Sequence, residues 1–586
     1  MSSIRQQRPL ATFSWRTAFA AVLGAAIAAA LPGCGGDADR PPSATTAAPS
    51  IASDAHASRG QVTPASTQRV SFYAASRFAE QASFGPTPAL VAELQAKGFE
   101  RWIDEQFALP IVPVDLRAAE AIYAYPVNVS PPDSLFNYLD REFAGRAVAG
   151  ADQLRLRVTW SLSQFVVAAA TKGEVPGWVE WHNLLYRNAF GRYDTLLRQA
   201  SVDSHMGHYL DNDQNRPKSA ECPHCAPNEN YARELMQLFT IGVYKLNPDG
   251  TPQRDNRGRF IETYTQRDVE ELSRVLTGWT RDYSGPQRPP RNWGNWGQPM
   301  IPSTWPPDRD SGTKTVLGRV FPAAQGAQKD LDDAIDLLMA HPNIAPFVAL
   351  RLIQHLVKSD PTPAYVGRVA AKFSNNGSGV RGDMRTVIKA VLLDAEARAG
   401  DNPAAARRDD GKFREPFLYG TALWRALGCT AMPKQNWSDA RPAISGQQEP
   451  FRQSSVFSFY APTDRAPGSN LLAPEQRLIT TEELRGRVNQ ALWPVKYDNG
   501  RMDSTRLRDA GCKTDEFTAT FTRSSSAYAD LLAQRFFRGA MPPTLRSNMV
   551  EIMSMQWPPY NKNEPLEGAM RMLNFATLTP YYGVIK

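Results

Sequence analysis

Hydrophobic residues recur at helical spacing through most of this chain, most clearly in the stretch from Asn228 to Gly242. Its apolar residues lie at i, i+4, i+7 and i+8, which is one face of a helix: Tyr231, Leu235, Leu238 and Phe239. Asn228 is a favourable N-cap, and Gly242 can adopt the left-handed conformation that ends a helix. The pattern predicts a buried helix over residues 229–241 at the centre of the protein.

The rest of the chain after residue 70 is also patterned mainly as helices. The spacing predicts a helix from Leu154 to Ala170 and a second over 178–197 with a break at Gly191. Thr265 and Asp268 have the spacing of a capping box at the start of another helix. Five more helices are predicted further along the chain, over 328–340, 344–358, 361–373, 384–397 and 415–427.

Alternation typical of strands is rare. Turn sequences at 247–250 and 256–258 predict a small β-hairpin within residues 243–264, and residues 280–325 are rich in Pro, Gly and Trp. The predicted fold class is mainly α, with one large helical domain over residues 72–586, a small β-hairpin and long Pro/Gly/Trp-rich loops.

The first 70 residues show no such pattern and indicate export. Residues 1–34 combine three arginines, an uncharged run over 17–31 and the sequence Leu-Pro-Gly-Cys at 31–34, which resembles a lipoprotein signal. We expect Cys34 to be lipidated, the alternative being an ordinary secretory signal. Residues 35–70 are rich in Ala, Ser, Thr and Pro, which predicts a flexible tether. Because Gly35 rather than Asp follows the cysteine, we expect an outer-membrane lipoprotein of the cell envelope.

The charge distribution argues against a nucleic-acid partner. The formal net charge is +7 over 586 residues, and no block of Lys and Arg or basic stripe with interleaved aromatic residues occurs. The partner that the residues themselves lead us to expect is the membrane, through the lipid anchor.

Several motifs together resemble one bacterial family. They lie at 75–87, 228–242, 264–279, 379–383 and 450–460, and they are similar to the secreted "domain of unknown function 1800" family over about residues 72–480. The resemblance implies a mainly helical fold and an exported partner encoded nearby, but it carries no activity and no catalytic residue. Arg309-Asp310 departs from the His-Asp that many members have before the segment Gly312 to Thr315.

Three charged residues interrupt the predicted central helix, namely Glu229, Arg233 and Glu234. Glu229 and Arg233 are four positions apart and can pair, whereas Arg233 and Glu234 are adjacent and cannot face each other. Charges in a buried helix are either ion-paired within the core or part of a site. These three residues are therefore our catalytic candidates, together with a polar cluster that adds His205, His208 and Asp211.

Cys222-Pro-His-Cys225 has the spacing of a thiol–disulfide oxidoreductase site, but no predicted strand precedes it. Because exported proteins are oxidised, we predict a structural disulfide between Cys222 and Cys225. Redox catalysis is one alternative, and a zinc site with His205 and His208 is another. Cys429 and Cys512 are candidates for a second disulfide.

Asp211, Asp213 and Asn215 place oxygen atoms at alternating positions, as a Ca²⁺ loop begins. Arg216 and Cys222 occupy the sixth and twelfth positions, so the EF-hand pattern fails. The ordinary interpretation is a polar turn. The alternative is a Ca²⁺ site of another type, and Ca²⁺ is the one cofactor that the sequence brings into consideration.

Two functions stay open on the sequence alone. The protein is either a non-catalytic assembly or scaffold protein that acts with an exported partner, or an envelope hydrolase whose carboxylates and Arg233 lie near the central helix. In the scaffold hypothesis Trp293, Trp296 and Trp305 form the contact surface, the alternative being that they pack over the helices. We favour the scaffold, because no complete catalytic motif occurs.

Overall fold

Helices carry most of the chain after residue 70, as the hydrophobic spacing predicts. A computed structural model describes residues 69–123, 137–283, 295–405, 407, 410–431, 447–490, 496–498, 501–503, 505–555 and 565–586. The predicted signal, Cys34, most of the tether and Trp293 lie outside the described residues. The structure is 53% helical, which confirms the mainly α fold class.

The helices of the first half of the chain begin where capping residues and prolines allow. Ser71, Thr87 and Thr265 each accept a hydrogen bond from a first-turn N–H, and Thr265 and Asp268 form the predicted capping box. The helices are α1 (Phe72–Ala82), α2 (Pro88–Lys97), α3 (Phe99–Ala108), α4 (Leu116–Tyr123), α5 (Tyr138–Ala149), α6 (Gln153–Ser163), α7 (Val175–Asn188), α8 (Tyr193–Ser201), α9 (Ser204–Tyr209), α10 (Asn230–Gln237) and α11 (Gln266–Val275).

The second half continues with helices that match the five predicted there. They are α12 (Ala327–Ala340), α13 (Ile344–Leu356), α14 (Pro363–Ser374), α15 (Met384–Leu393), α16 (Ala395–Ala399), α17 (Pro416–Ala426), α18 (Thr481–Gln490), α19 (Thr505–Asp509), α20 (Asp515–Arg523), α21 (Ser525–Phe536), α22 (Pro543–Ser554) and α23 (Pro565–Thr577). The predicted helix over 384–397 is interrupted at Asp394, whose side chain caps α16 by accepting the N–H of Glu396.

The predicted helix over residues 154–170 is too long. The helix expected from Leu154 to Ala170 ends at Ser163, and the apolar residues that follow are buried without being helical. Ala170 donates its N–H to the carbonyl of Phe451, at 2.7 Å. An uninterrupted apolar run shows that a segment is buried but not which backbone conformation buries it.

Strands are short within the described residues and form antiparallel pairs. They are β1 (Trp279–Thr280) with β2 (Ile301–Pro302), β3 (Lys314–Val316) with β4 (Arg319–Phe321), β5 (Lys412–Phe413) with β8 (Val584–Ile585), and β6 (Lys496–Asp498) with β7 (Arg501–Asp503). The predicted hairpin within 243–264 has isolated antiparallel bridges, such as Tyr244 with Glu262, rather than continuous strands. Loop 280–325 contains β2 to β4 and a 3₁₀ turn at Pro306–Asp308.

The core consists of two hydrophobic clusters on either side of α6. Leu154, Val158 and Leu162 of this helix contact the cluster that contains α10, whereas Leu156 and Trp160 contact the cluster around α17. All residues of α6 are buried, which explains why it lacks a polar face. Residues 67–586 form one compact unit. Within the described ranges, no helix is both long and apolar enough to cross a membrane.

Candidate functional site

Helix α10 lies where the sequence predicts it but is shorter. Asn228 Oδ1 accepts the N–H of Asn230 at 2.9 Å, and the helix ends at Gln237 rather than at residue 241. The N–H groups of Leu238 and Phe239 both bond to the carbonyl of Glu234, at 2.9 and 3.0 Å. The second of these is an i→i−5 bond, which widens the last turn as is common where a helix ends.

Glu229 and Arg233 pair as predicted, at 2.7 Å, but the pair is not buried. Their side chains are 34% and 37% exposed. Both also bond to the side chain of Gln266, at 2.9 and 3.0 Å. The hypothesis that these two charges are ion-paired inside the core is therefore wrong, because the face of α10 that carries them is partly open to solvent beside the start of α11.

Glu234 differs from both neighbours because it is only 6% exposed. Its carboxylate has no hydrogen bond and no ion pair within the described residues, and its Oε2 atom is fully enclosed. Burial raises the pKa of this carboxyl to about 7, and the Arg233 charge opposes the rise only in part. A buried carboxyl without a partner is costly when ionised, so the proton is retained to near-neutral pH.

Two tyrosines lie close enough to Glu234 to sense its charge. Burial first, and the Glu234 carboxylate second, raise the pKa of Tyr209. The pKa of Tyr264 is raised to about 12 by burial, and Glu234 adds to the rise while Arg233 opposes it. Both phenols are therefore hydroxyl donors at neutral pH.

A polar rim joins Tyr209 to the start of α10. Lys172 Nζ donates to the carbonyl of Tyr209 at 3.3 Å and lies 4.0 Å from Asp211 Oδ1. Asn230 Nδ2 donates to Asp211 Oδ2 at 3.2 Å. We call Glu234, Tyr209, Lys172, Asp211 and Asn230 the Glu234 site. Lys172, Tyr209 and Asn230 were not predicted, since no local motif connects them to Glu234.

The two histidines of the predicted cluster lie beside this site. His205 is buried, which lowers its pKa to about 3 and keeps the imidazole neutral. Burial and the Arg281 charge also lower the pKa of His208, whose ring is 5.1 Å from that of Trp296 in an edge-on contact. Among the described residues, no three His, Cys, Asp or Glu side chains approach closely enough to hold a metal together.

The three predicted Ca²⁺ ligands face different partners. Asp213 Oδ2 pairs with Arg281 Nε at 2.7 Å, and both side chains are buried. Asn215 Oδ1 accepts the N–H of Asn228 at 2.7 Å, while Asp211 belongs to the rim of the Glu234 site. These contacts fit the polar-turn interpretation, and Asp211 has the positive φ of +58° that such turns tolerate. The Ca²⁺ site therefore stays a prediction, since the contacts of these three residues do not bring their oxygen atoms together around one point.

Both predicted cysteine pairs are at disulfide distance. The sulfur atoms of Cys222 and Cys225 are 2.01 Å apart, and those of Cys429 and Cys512 are 2.00 Å apart. Cys222 and Cys225 lie in the loop between α9 and α10, with no strand of the described residues leading into them. That context lacks the strand–helix arrangement of thioredoxin-like enzymes.

The predicted tryptophan surface is wrong for Trp296, which is 2% exposed. Its ring lies 4.2 Å from the Arg281 guanidinium. Gly173 and Gly177 make room for it, since an added Cβ at either position would come within 3.0 and 2.9 Å of the ring. Trp305 is 56% exposed, and it alone of the three is shown at the surface.

The family of proteins described as "Protein of unknown function (DUF1800)" matches residues 77–584. This chain belongs to that family. The match confirms the resemblance and extends it beyond residue 480 to the C-terminal helices. No curated protein and no solved structure matches the chain.

In this DUF1800 protein the residue that departs from the family's His-Asp pattern has a structural role. Arg309 Nη1 donates to the carbonyls of Val275 and Thr277 at the end of α11, at 2.8 and 3.0 Å. Arg309 also pairs with the buried Asp330. The neighbouring Asp310 forms a bidentate pair with Arg274, at 2.8 and 3.1 Å. The guanidinium therefore binds the carbonyls left free at a helix C-terminus.

A second buried charged group, at the start of α17, was not predicted. Lys412 Nζ pairs with Glu415 Oε1 at 2.8 Å, and Gln448 donates to Glu415 Oε2 at 2.6 Å. Burial alone would raise the pKa of Glu415, but the charges of Lys412, His355 and Arg157 lower it to about 2. We call Arg157, His355, Lys412, Glu415 and Gln448 the Glu415 network. The three-residue spacing of Lys412 and Glu415 was its only local signal.

Proposed function

We propose that this DUF1800 protein is an exported cell-envelope hydrolase, held at the outer membrane through Cys34, in which Glu234 acts as general acid and base. One observation carries the proposal: Glu234 is a buried carboxyl without a partner among the described residues, and its pKa is about 7. A group whose pKa lies near the working pH can both accept and return a proton, which is the requirement of general acid–base catalysis.

The surroundings of Glu234 support an acid–base role more than a structural one. Structural carboxylates in protein interiors are normally paired or hydrogen-bonded, as Glu415 is here. Groups with strongly raised pKa values and no structural partner concentrate at active sites. In the proposed reaction Glu234 takes a proton from water, Tyr209 donates a hydrogen bond to the reacting group, and Lys172 binds an anionic part of the substrate.

The position of Glu234 also defines how substrate reaches it. Lys172 and Asp211 have half-exposed side chains, whereas Glu234 is nearly enclosed. In the proposal the substrate contacts the rim first and reaches the carboxyl past Tyr209. Glu229 and Arg233 then belong to the outer surface and not to the reacting centre.

The scaffold function is the second candidate, and one observation favours it. Trp305 and Ile301 are exposed in the same segment, at 56% and 42%. Exposed aromatic residues are enriched at protein interfaces. In this alternative the segment binds the exported partner that the family resemblance implies, and Glu234 has no role in function.

The test compares purified wild-type protein with Glu234→Gln and with Glu229→Gln as the matched surface control. Each is assayed from pH 5 to 9 on chromogenic substrates that carry glycosidic, ester or amide bonds. We expect the wild type to hydrolyse one of these classes of substrate. Its rate should change with pH around a midpoint near pH 7, where Glu234 titrates. Loss of the acid–base group lowers the rate by about 10²–10⁴-fold in Glu234→Gln, and Glu229→Gln stays active. Full activity of folded Glu234→Gln, or no hydrolysis of any class by the wild type, contradicts the proposal.

A further inference from the structure

A cleft between α3, α6 and α15 contains two arginines that form no ion pair with any residue in the described part of the chain. Its volume is about 660 Å³, within the usual range for small-molecule sites. Arg155 and Arg385 line it together with Lys389, Asp383 and Asp104 on the polar side, and the segment from Phe107 to Ile111 forms the opposite wall. None of these residues belongs to the Glu234 site.

The two acidic residues of the cleft are engaged by other groups, Asp104 in an ion pair and Asp383 in hydrogen bonds that keep it ionised. Asp104 pairs with Lys389 at 2.7 Å. Asp383 caps α15, where it accepts the N–H of Arg385 at 3.1 Å and the hydroxyl of Thr386 at 2.9 Å. Neither carboxylate forms an ion pair with Arg155 or Arg385 in the described part of the chain. Neither guanidinium group is therefore held in an ion pair by a described residue, although the Asp152 charge acts on Arg155.

Arg155 is the more informative of the two arginines because it is only 3% exposed. Its Nε atom is buried and has no hydrogen-bond partner in the described ranges, and Nη1 makes a single long bond of 3.4 Å to the carbonyl of Tyr186. The guanidinium lies 4.4 Å from the Phe190 ring. Stacking orients the group but does not replace hydrogen bonds, and a buried guanidinium left with unused donors is costly.

The opposite wall of the cleft is apolar and partly exposed. Pro110 and Ile111 follow the end of α3, and Ile111 is a large exposed hydrophobic residue. A ligand that satisfies both walls carries an oxyanion at one end and an apolar group beside it. Guanidinium groups bind phosphate oxygens in a planar, bidentate geometry, which makes phosphate the best-matched oxyanion.

We propose that this cleft binds the phosphate group of an organic ligand, with Arg155 and Arg385 on the phosphate and Ile111 against the apolar part. A lipid headgroup and a soluble phosphate ester share this chemistry. Inorganic phosphate and hexyl phosphate are the two probes that test the apolar contact, and vesicles of phosphatidylglycerol are the probe for the lipid source, since binding of hexyl phosphate without binding to vesicles assigns a soluble ester.

The experiment is isothermal titration of the full-length protein with hexyl phosphate and, separately, with inorganic phosphate. We expect hexyl phosphate to bind more tightly, and Arg385→Gln to weaken its binding by about tenfold or more through the loss of a charge-assisted hydrogen bond. Arg101→Gln is the matched control, because Arg101 is an exposed arginine of α3 that is paired with Glu105 at 3.0 Å. It should bind as the wild type does.

Arg155→Gln is the second variant, and its circular dichroism spectrum and Tm establish that it is folded. Arg385 is exposed, so its substitution tests the site even where the Arg155 variant does not fold. Equal binding of hexyl phosphate by wild type and Arg385→Gln, or no binding at millimolar concentration, overturns the proposal. Equal affinity for inorganic and hexyl phosphate contradicts the proposed contact between Ile111 and the apolar part of the ligand.

Discussion

Glu234, in the second half of α10, and Glu415, at the N-cap of α17, are both buried glutamates, yet their pKa values are shifted in opposite directions. Glu234 has no side-chain partner in the described residues, and burial raises its pKa to about 7. Glu415 is bonded to Lys412 and Gln448, and nearby cations lower its pKa to about 2 in spite of burial. Burial alone therefore does not determine the state of a carboxyl group, since the charges that surround it decide the sign.

Glu415 is a structural charge, whereas the Glu234 carboxyl remains available for chemistry. The Glu415 network connects α17 to α6 and α13, because Arg157 Nη2 donates to the carbonyl of His355 at 2.6 Å and Lys412 donates to the same carbonyl at 3.2 Å. Lys412 and Glu415 are fully hydrogen-bonded, whereas Nε and Nη1 of Arg157 and Nδ1 of His355 have no partner among the described residues. The Glu234 carboxyl makes no hydrogen bond or ion pair with any described residue. Its presence in the core therefore cannot be explained by a contribution to stability.

The largest effect is expected at the Glu415 network. Glu415→Gln removes the charge that compensates the buried Lys412, and breaking a buried pair typically costs about 3–5 kcal/mol. The free energy of unfolding at pH 7, from urea denaturation followed by circular dichroism, should fall by that amount. A loss below about 1 kcal/mol would mean that the network does not hold the two parts of the core together.

The next largest effect is the change in the free energy of unfolding with pH that Glu234 causes. Here the ionised carboxylate destabilises the protein, whereas the Glu415 carboxylate stabilises it. The unfolded carboxyl titrates near pH 4.5 and the folded one near pH 7. Between these values the folded state binds more protons, so the wild type loses stability as pH rises. At about 1.4 kcal/mol per pKa unit the loss is roughly 3 kcal/mol.

Glu234→Gln should not show this loss, because an amide does not titrate. Its free energy of unfolding should be close to that of the wild type at pH 4.5 and higher than that of the wild type at pH 8. Urea denaturation at both pH values measures the difference. Parallel pH curves for the two proteins would show that Glu234 is ionised and stabilised by a partner.

The smallest effect is expected at Glu229, which pairs with Arg233 at the surface of the same helix. Exposed ion pairs contribute about 0–1 kcal/mol and are screened by salt. Glu229→Gln should lower the free energy of unfolding by less than 1 kcal/mol, and less still in 1 M NaCl. A loss as large as that of Glu415→Gln would remove the distinction between the surface pair and the buried network.

The sequence by itself determined the features that depend on near neighbours. The capping box of Thr265 and Asp268, the pairing of Glu229 with Arg233 and the Cys222–Cys225 disulfide all join residues within four positions. The helical spacing of apolar residues likewise predicted most helices and the mainly α fold. It failed at 164–170, where an apolar run has no period that distinguishes a helix from a buried extended segment.

Only the tertiary structure decided which charged residues are buried and what they face. Spacing could not show that Glu229 lies at the surface while Glu234 is enclosed beside Tyr209, or that Trp296 packs between glycines 173 and 177. It also could not bring Arg157 and His355 to Lys412 and Glu415. Burial and long-range pairing depend on which distant segments meet, and the pKa of a carboxyl group depends on both. The helices of this protein can therefore be predicted locally, whereas the chemistry of its glutamates cannot.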